Sequence, residues 1–276
     1  MHLFRWRVVG FQRKRTLLFA FFCLLAVSTA AQTATPSRIA IVIDDLGELL
    51  SAGRRVIKLP GPVACAFLPN TRHAYQLANL AHQSGKEILL HQPMQSISYL
   101  PQTRDALVLD MTRLQLQRVV NENLDALPYV SGMNNHMGSL LTQHPGHMRW
   151  LMELLHDRGG LFYIDSRTTT LTVAEQTARD FQVPVVRRHV FLDHPFARGG
   201  IEYQFERLLK LARRNGYAVA IGHPHPKTLS FLEEHLPLLA TKQIELVPVI
   251  EILTNLPKTA NEMSIHDPGM EYPTDF

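Results

Sequence analysis

Six short stretches of this chain place acidic, imidazole and amide side chains directly after apolar runs. They are Asp44-Asp45, His91-Gln92-Pro93-Met94, Asn134-Asn135-His136, Asp165-Ser166-Arg167, Asp193-His194 and His223-Pro224-His225. One Asp or His in such a place usually caps a turn or satisfies a backbone group. Several converging on one face need another explanation, because charged groups at the ends of buried strands are costly unless paired or ligated. The adjacent Asp44 and Asp45 repel each other in a dry site unless a cation or a shared proton relieves them. One carboxylate with two imidazoles leaves open positions on a divalent ion, zinc first among the candidates. That ligand set belongs to hydrolytic rather than structural sites.

Such residues need strands to carry them. After a polar linker at 32–37, runs rich in Val and Ile recur at 39–43, 63–68, 87–90, 129–133, 161–164, 185–190, 218–221 and 244–250. Short continuous runs bounded by turn residues read as strands buried on both faces. Between them, segments 74–83, 112–127, 147–157, 173–181, 204–214 and 228–241 repeat apolar residues at helical spacing. Gly85, Gly159-Gly160 and Gly216 stop three of these helices just before a strand. Thr112 and Thr172 are expected N-caps. Strand–helix alternation implies parallel strands with crossover helices. About seven such units predict an α/β fold, an irregular (β/α) barrel, with an open doubly wound sheet as the alternative. In either fold functional side chains collect at the C-terminal ends of the strands, where the six stretches fall.

In context the stretches read IAIVIDDLG (39–47), HQPM (91–94), GMNNHMGS (132–139), YIDSRT (163–168) and GHPHP (222–226). These ordered motifs resemble the divergent polysaccharide deacetylase family, over a domain at 38–254. The resemblance implies a distorted (β/α) barrel with a metal-dependent site. It implies Asp44 as the general base, Asp45, His91 and His136 as ligands of a divalent metal, and His223 as the acid that protonates a leaving amine. His225 competes for that last role. Asp165, Arg167, Asn135 and His225 are expected to bind or orient substrate: Asp165 by holding a catalytic histidine or the substrate, Arg167 by holding an anionic group or pairing with Asp165. Asn134 and Asn135 also suit bracing a turn. Ordinary polysaccharide deacetylases carry both ligand histidines in one H-x-x-x-H motif, whereas here they come from two strands. The implied activity is metal-assisted removal of N-acetyl groups from an envelope glycan. Two readings compete with it: an inactive deacetylase-like envelope module that binds glycan or a cell-wall protein, and a metallohydrolase of another amide or ester.

The N-terminus points to export. Arg5, Arg7, Arg13, Lys14 and Arg15 precede an apolar run at 16–27 and the small residues 28–31, and no acidic residue occurs before Asp44. Basic head, short apolar core and small-residue exit describe a signal peptide at 1–31, with an uncleaved inner-membrane anchor as the alternative. Cleavage leaves a periplasmic domain with no stable membrane span. The chain's 28 Lys+Arg against 24 Asp+Glu falls to near balance once those five basic residues leave, so the basic character belongs to the leader. No basic stripe with interleaved aromatics accompanies it, which argues against a nucleic-acid partner. Cys65 alone remains after cleavage and reads as a small buried hydrophobe. Residues 255–276 read as a mobile tail.

Overall fold

The computed structural model describes residues 36–98, 103–194 and 199–256, with His2 besides. The expected leader, most of the expected linker and residues 257–276 of the expected tail lie outside the described residues. Strands and helices alternate in the order β1 (Ser37–Leu46), α1 (Leu50–Ile57), β2 (Ala64–Phe67), α2 (Ala74–Gln83), β3 (Ile88–Met94), α3 (Arg113–Asp125), β4 (Val130–Met137), α4 (Pro145–Arg158) and β5 (Phe162–Asp165). There follow α5 (Ala174–Asp180), β6 (Val185–Arg187), β7 (Val190–Phe191), α6 (Gly200–Asn215), β8 (Tyr217–Gly222), α7 (Pro226–His235), β9 (Ile244–Leu246) and α8 (Val249–Thr254).

Every strand ladder is parallel. The strand order is β6-β5-β4-β3-β2-β1-β8-β7, with β9 added on β1. This is barrel order with an open seam: among the described residues no ladder joins β6 to β7. The sequence expectation of an irregular (β/α) barrel therefore holds as a curled, unclosed parallel sheet. β8 runs along one edge of β1 from Arg38 to Ile43. The other edge is shared, Ser37–Ile39 going to β9 and Val42–Leu46 to β2.

Alternation along the strands sorts side chains into two layers. Ala40, Val42, Ala64, Ala66, Leu89, Phe162, Ile164, Val219 and Ile221 fill the inside of the curl. Ile39, Ile41, Ile43, Cys65, Phe67, Leu90, Met133 and Tyr163 face the helices. Gly132 is required by the inner layer, since a Cβ there would lie 2.6 Å from the Phe162 ring. Val249 and Ile252 of α8 pack into the same inner cluster. The Glu87 carboxylate fixes α8 by accepting from the Val249 and Ile250 N–H groups at 2.9 and 3.1 Å.

Local signals explain most boundaries. Thr112 and Gln115 form a capping box at the start of α3. Gly159, at φ 67, caps α4. Thr172 is not an N-cap; its hydroxyl accepts from Ala174 N–H just inside α5, whose N-cap is Val173. The run at 185–190 divides into β6 and β7, and the run at 244–250 into β9 and α8. Helix α1 escapes the sequence pattern because glycine occupies a core position. Gly53 is buried, and a Cβ there would meet Leu77 Cδ1 at 2.4 Å.

Candidate functional site

Asp44 extends the inner-facing series of Ala40 and Val42. A regular strand would send Asp45 to the opposite face. Instead the β1–β2 register slips between Ile43 and Leu46, and Asp45 adopts a left-handed backbone at φ 57. Such a bulge re-aims a side chain, and aspartate tolerates that conformation better than most residues. Both carboxylates thereby reach the same end of the sheet. His91 continues the inner phase of Leu89, and Asn134 and His136 share that phase on β4. The ladder pairs His91 with Asn134 and Pro93 with His136.

Three ligand-type atoms meet there. Asp45 Oδ1 lies 3.2 Å from His91 Nε2 and 3.1 Å from His136 Nδ1, and the two nitrogens are 3.2 Å apart. A tetrahedral zinc with bonds of 2.0–2.1 Å has ligand–ligand edges of about 3.4 Å, so this triangle matches one face of a small coordination shell. Asp45 Oδ1 is also buried with no donor in hydrogen-bond geometry. An orphaned buried carboxylate oxygen between two imidazole nitrogens fits a cation.

Beneath the triangle, Asn134 organises the floor. Its Nδ2 donates to both oxygens of Asp44, at 2.8 and 3.0 Å, and its Oδ1 faces His91 Nδ1 at 2.8 Å. A carboxylate only accepts, so the amide must present its nitrogen to Asp44 and its oxygen to the imidazole. His91 then carries its proton on Nδ1 and leaves the Nε2 lone pair facing Asp45 and His136. Orientation of a ligand histidine through its far nitrogen is usual at metal sites. Floor and mouth differ in exposure. Asp44 and His91 are 3% and 2% exposed, whereas Asp45 and His136 are 35% and 28% exposed.

Electrostatics follow from this layering. Burial pushes the Asp44 carboxyl up, against the opposing pull of His91, His223 and Asn134. Burial acts the same way on Asp45, but the His136 and His91 contacts outweigh it and hold that carboxyl below the usual carboxylate range. Burial disfavours charge on His91, and the Asp44 and Asp45 charges overcome it, raising that imidazole. A proton and a cation therefore compete for the same lone pairs.

His223 follows β8 in the inner phase of Val219 and Ile221. Its Nδ1 is 3.0 Å from Asp193 Oδ1, and its backbone N–H donates to Asp193 Oδ2 at 2.7 Å. Thr228 also donates to that oxygen, at 2.7 Å, and the Phe191 ring stacks on the imidazole at 5.1 Å. The ring's Nε2 points toward Asp45 Oδ2, 3.8 Å away. Burial alone would lower this histidine, but Asp193 raises it to about 9. His225 is exposed at the N-cap of α7, with its ring 5.7 Å from that of His223. Asp193, His223 and His225 also present close ligand-type atoms, but both Asp193 oxygens already accept hydrogen bonds from His223 and Thr228.

Two of the remaining sequence candidates fall elsewhere. Asp165 is fully buried and faces the helices, one residue out of phase with Ile164. Its oxygens accept from Arg167 N–H at 2.9 Å and Thr172 Oγ1 at 3.0 Å. Among the described residues it orients no histidine; Asp193 is the carboxylate that holds His223. Asn135 is out of phase too. Its Oδ1 accepts from Tyr163 OH and Ser166 N–H and its Nδ2 donates to the Met137 carbonyl, so it braces the ends of β4 and β5. Asn134, read from sequence as a turn brace, instead links Asp44 to His91. Arg167 makes no ion pair with Asp165 among the described residues. Asp193 was visible as an acidic strand end but had no assigned role.

A family model described as divergent polysaccharide deacetylase matches residues 41–253. The uncharacterized protein YibQ of Escherichia coli (strain K12) is 38% identical over 220 residues, covering 80% of this chain and 68% of that protein. An uncharacterized protein of Haemophilus influenzae is 35% identical over 215 residues, covering 77% and 76%. The crystal structure of an uncharacterized protein from Agrobacterium tumefaciens C58 superposes with a TM-score of 0.75 at 21% identity, covering 80% of this chain and 90% of that one. That likeness concerns the fold.

Proposed function

The chain belongs to the divergent polysaccharide deacetylase family, and we propose that it is an exported, metal-dependent hydrolase that removes N-acetyl groups from an envelope glycan. The observation that carries this reading is the buried Asp45 oxygen lying between His91 Nε2 and His136 Nδ1. Those three residues would hold the divalent ion, with zinc favoured by the carboxylate–imidazole donor set. When bound, the ion supplies Lewis acidity, lowering the pKa of a coordinated water and polarising the amide carbonyl.

The chain's own residues divide the proton work. Asp44 lies beside the ligand set, its Oδ2 3.6 Å from His91 Nε2, and accepts the proton of the attacking water. Asn134 holds that carboxylate in place from below. His223, held by Asp193 through Nδ1, carries its transferable proton on Nε2 and delivers it to the departing sugar amine as the C–N bond breaks. The products are acetate and a free amine. Phe191 and Thr228 keep the ring and its carboxylate from turning. Base and acid thus both border the ligand set, Asp44 beside His91 and His223 beside Asp45. The basic, apolar and small-residue order of residues 1–31 supports export.

The test measures two quantities on purified protein: bound metal by elemental analysis, and acetate released from N-acetylated oligosaccharides. About one equivalent of metal and measurable acetate are expected, with both lost in Asp45→Ala and His136→Ala. A folded wild-type protein that takes up no divalent metal would overturn the reading. N-terminal sequencing of protein from the periplasmic fraction tests export, with a start after residue 30 or 31 as the expected result.

A further inference from the structure

Arg167 occupies a bridge between the two halves of the site. It follows β5 in a left-handed backbone conformation, φ 46, which costs a non-glycine residue on the order of 1 kcal/mol and persists only where the surroundings impose it. On one side its neighbours are tied to the end of β4 that carries His136: Ser166 N–H donates to Asn135 Oδ1 at 3.0 Å, and Thr168 Oγ1 donates to the Met137 carbonyl at 2.9 Å. On the other side Arg188 donates to the carbonyls of Ser166 and Arg167, at 2.6 and 2.8 Å. The Arg188 guanidinium lies 4.7 Å over Phe191, the ring that stacks on His223.

The Arg167 side chain, by contrast, makes no hydrogen bond among the described residues, and its charge acts on the buried Asp165 only from beyond ion-pair distance. Its Nε is buried without a hydrogen-bond partner, and no described carboxylate pairs with its guanidinium. Asp165, the nearest acid in sequence, already has both oxygens engaged by Arg167 N–H and Thr172. The surroundings are electropositive. Burial, then the charges of Arg187, Arg188, Arg167 and Arg207, push nearby His189 down to about 3. A guanidinium offers a rigid fork of donors suited to a carboxylate or phosphate, and a half-buried one with no hydrogen bond or ion pair among the described residues can turn that fork to a ligand.

We propose that Arg167 is the anion-recognising residue of the substrate site, so that the preferred substrate is an N-acetylated sugar bearing an oxyanion, a carboxylate or a phosphate, near the scissile amide. The proposal rests on the deacetylase reading of the same face and adds a substrate class to it.

The experiment measures binding by calorimetry on zinc-loaded protein, with acetate release followed separately. Three probes are compared: N-acetylglucosamine, its 6-phosphate, and N-acetylmuramic acid, whose lactyl group supplies a carboxylate. At least one acidic sugar should bind tenfold or more tightly than the neutral one, and which of the two does so identifies the oxyanion. Arg167→Gln should remove that preference, so that acidic and neutral sugars bind alike, and Arg167→Lys should restore part of it. Equal binding of acidic and neutral sugars by the wild type overturns the proposal whether or not any variant folds, as does a preference that survives Arg167→Gln. A clear preference without acetate release from any substrate would overturn the hydrolase reading and leave the recognition site standing.

Discussion

Replacing Asn134 by leucine removes one amide from beneath the site and should weaken zinc binding about ten- to a hundredfold. The residue is fully buried, and its two ends do different work. The oxygen faces His91 Nδ1 at 2.8 Å; the nitrogen donates to Asp44 at 2.8 and 3.0 Å. Leucine has a similar volume but no acceptor, so the His91 Nδ1–H would be buried unsatisfied, at about 1–3 kcal/mol. The ring escapes that cost by turning or by moving its proton to Nε2, and either response withdraws the lone pair facing Asp45. A ten- to hundredfold loss corresponds to about 1.4–2.8 kcal/mol, which lies within the same range. Loss of the donor to Asp44 should lower global stability by roughly a further 2 kcal/mol, since hydrogen bonds to charged groups contribute about 1.5–3 kcal/mol. Asn134→Asp separates the two ends. It keeps an acceptor for His91 but sets a second carboxylate against Asp44, so zinc affinity should stay within about threefold while stability and acetate release fall. Affinity is read by competition with a chromogenic chelator and stability by urea unfolding. A folded Asn134→Leu protein that binds zinc as tightly as the parent would refute the claim that this amide sets the histidine's tautomer.

Asp193→Asn removes the charge that raises His223 and should cut kcat for acetate release by about 10²–10⁴, the usual contribution of a positioned acid; metal content should not change, and a parallel loss of metal would contradict the division of roles. His189 accepts from Val219 N–H through Nδ1 at 3.0 Å and is held down to about 3, so its neutral form stabilises the fold. That stability is complete above the unfolded value of about 6.5 and is lost as pH falls from there toward 3, by at most about 4–5 kcal/mol; His189→Gln should flatten this part of the urea-unfolding profile. Glu87→Ala leaves two N–H groups at the start of α8 without an acceptor and should cost about 1–2 kcal/mol, read as a drop of a few degrees in Tm with zinc affinity unaltered. Gly132→Ala drives a Cβ into the Phe162 ring and should destabilise by about 1–3 kcal/mol; a protein as stable as the parent would show that the inner layer is looser than its packing implies.

Strand phase accounts for both the legible and the illegible parts of the site. Asp44, His91, Asn134, His136 and His223 all continue the phase of inner residues such as Val42, Leu89 and Ile221, so apolar runs with loaded ends could be read from sequence. Asp165 and Asn135 stand one residue out of phase and face the helices; chemical type alone made them candidates, and alternation removes them. Asp45 breaks the same rule in the opposite direction. It reaches the site only because the ladder slips and its backbone turns left-handed, and a single sequence carries no clear mark of either. Asp193 was obscured because β7 is two residues long, too short to define a phase. The open seam was equally hidden, since 185–190 reads as one apolar run although its two ends pair with different neighbours.

The division of His91 and His136 between β3 and β4 has a mechanical consequence. In an H-x-x-x-H motif the spacing of the ligands is set by local backbone within one segment. Here it is set by a parallel ladder running from Ile88↔Val130 to Met94↔Met137, with the His91–Asn134 hydrogen bond laid across it. A sheet ladder is a stiff support for a first coordination shell, but it is unforgiving of register. Slipping β4 by one residue would turn Asn134 and His136 toward the helices and bring Asn135 to the floor. Gly132, small enough to admit Phe162, and Asn135, tied to Tyr163 and Ser166, both work against that slip. The asparagine that faces away from the chemistry therefore helps to keep its neighbour facing toward it.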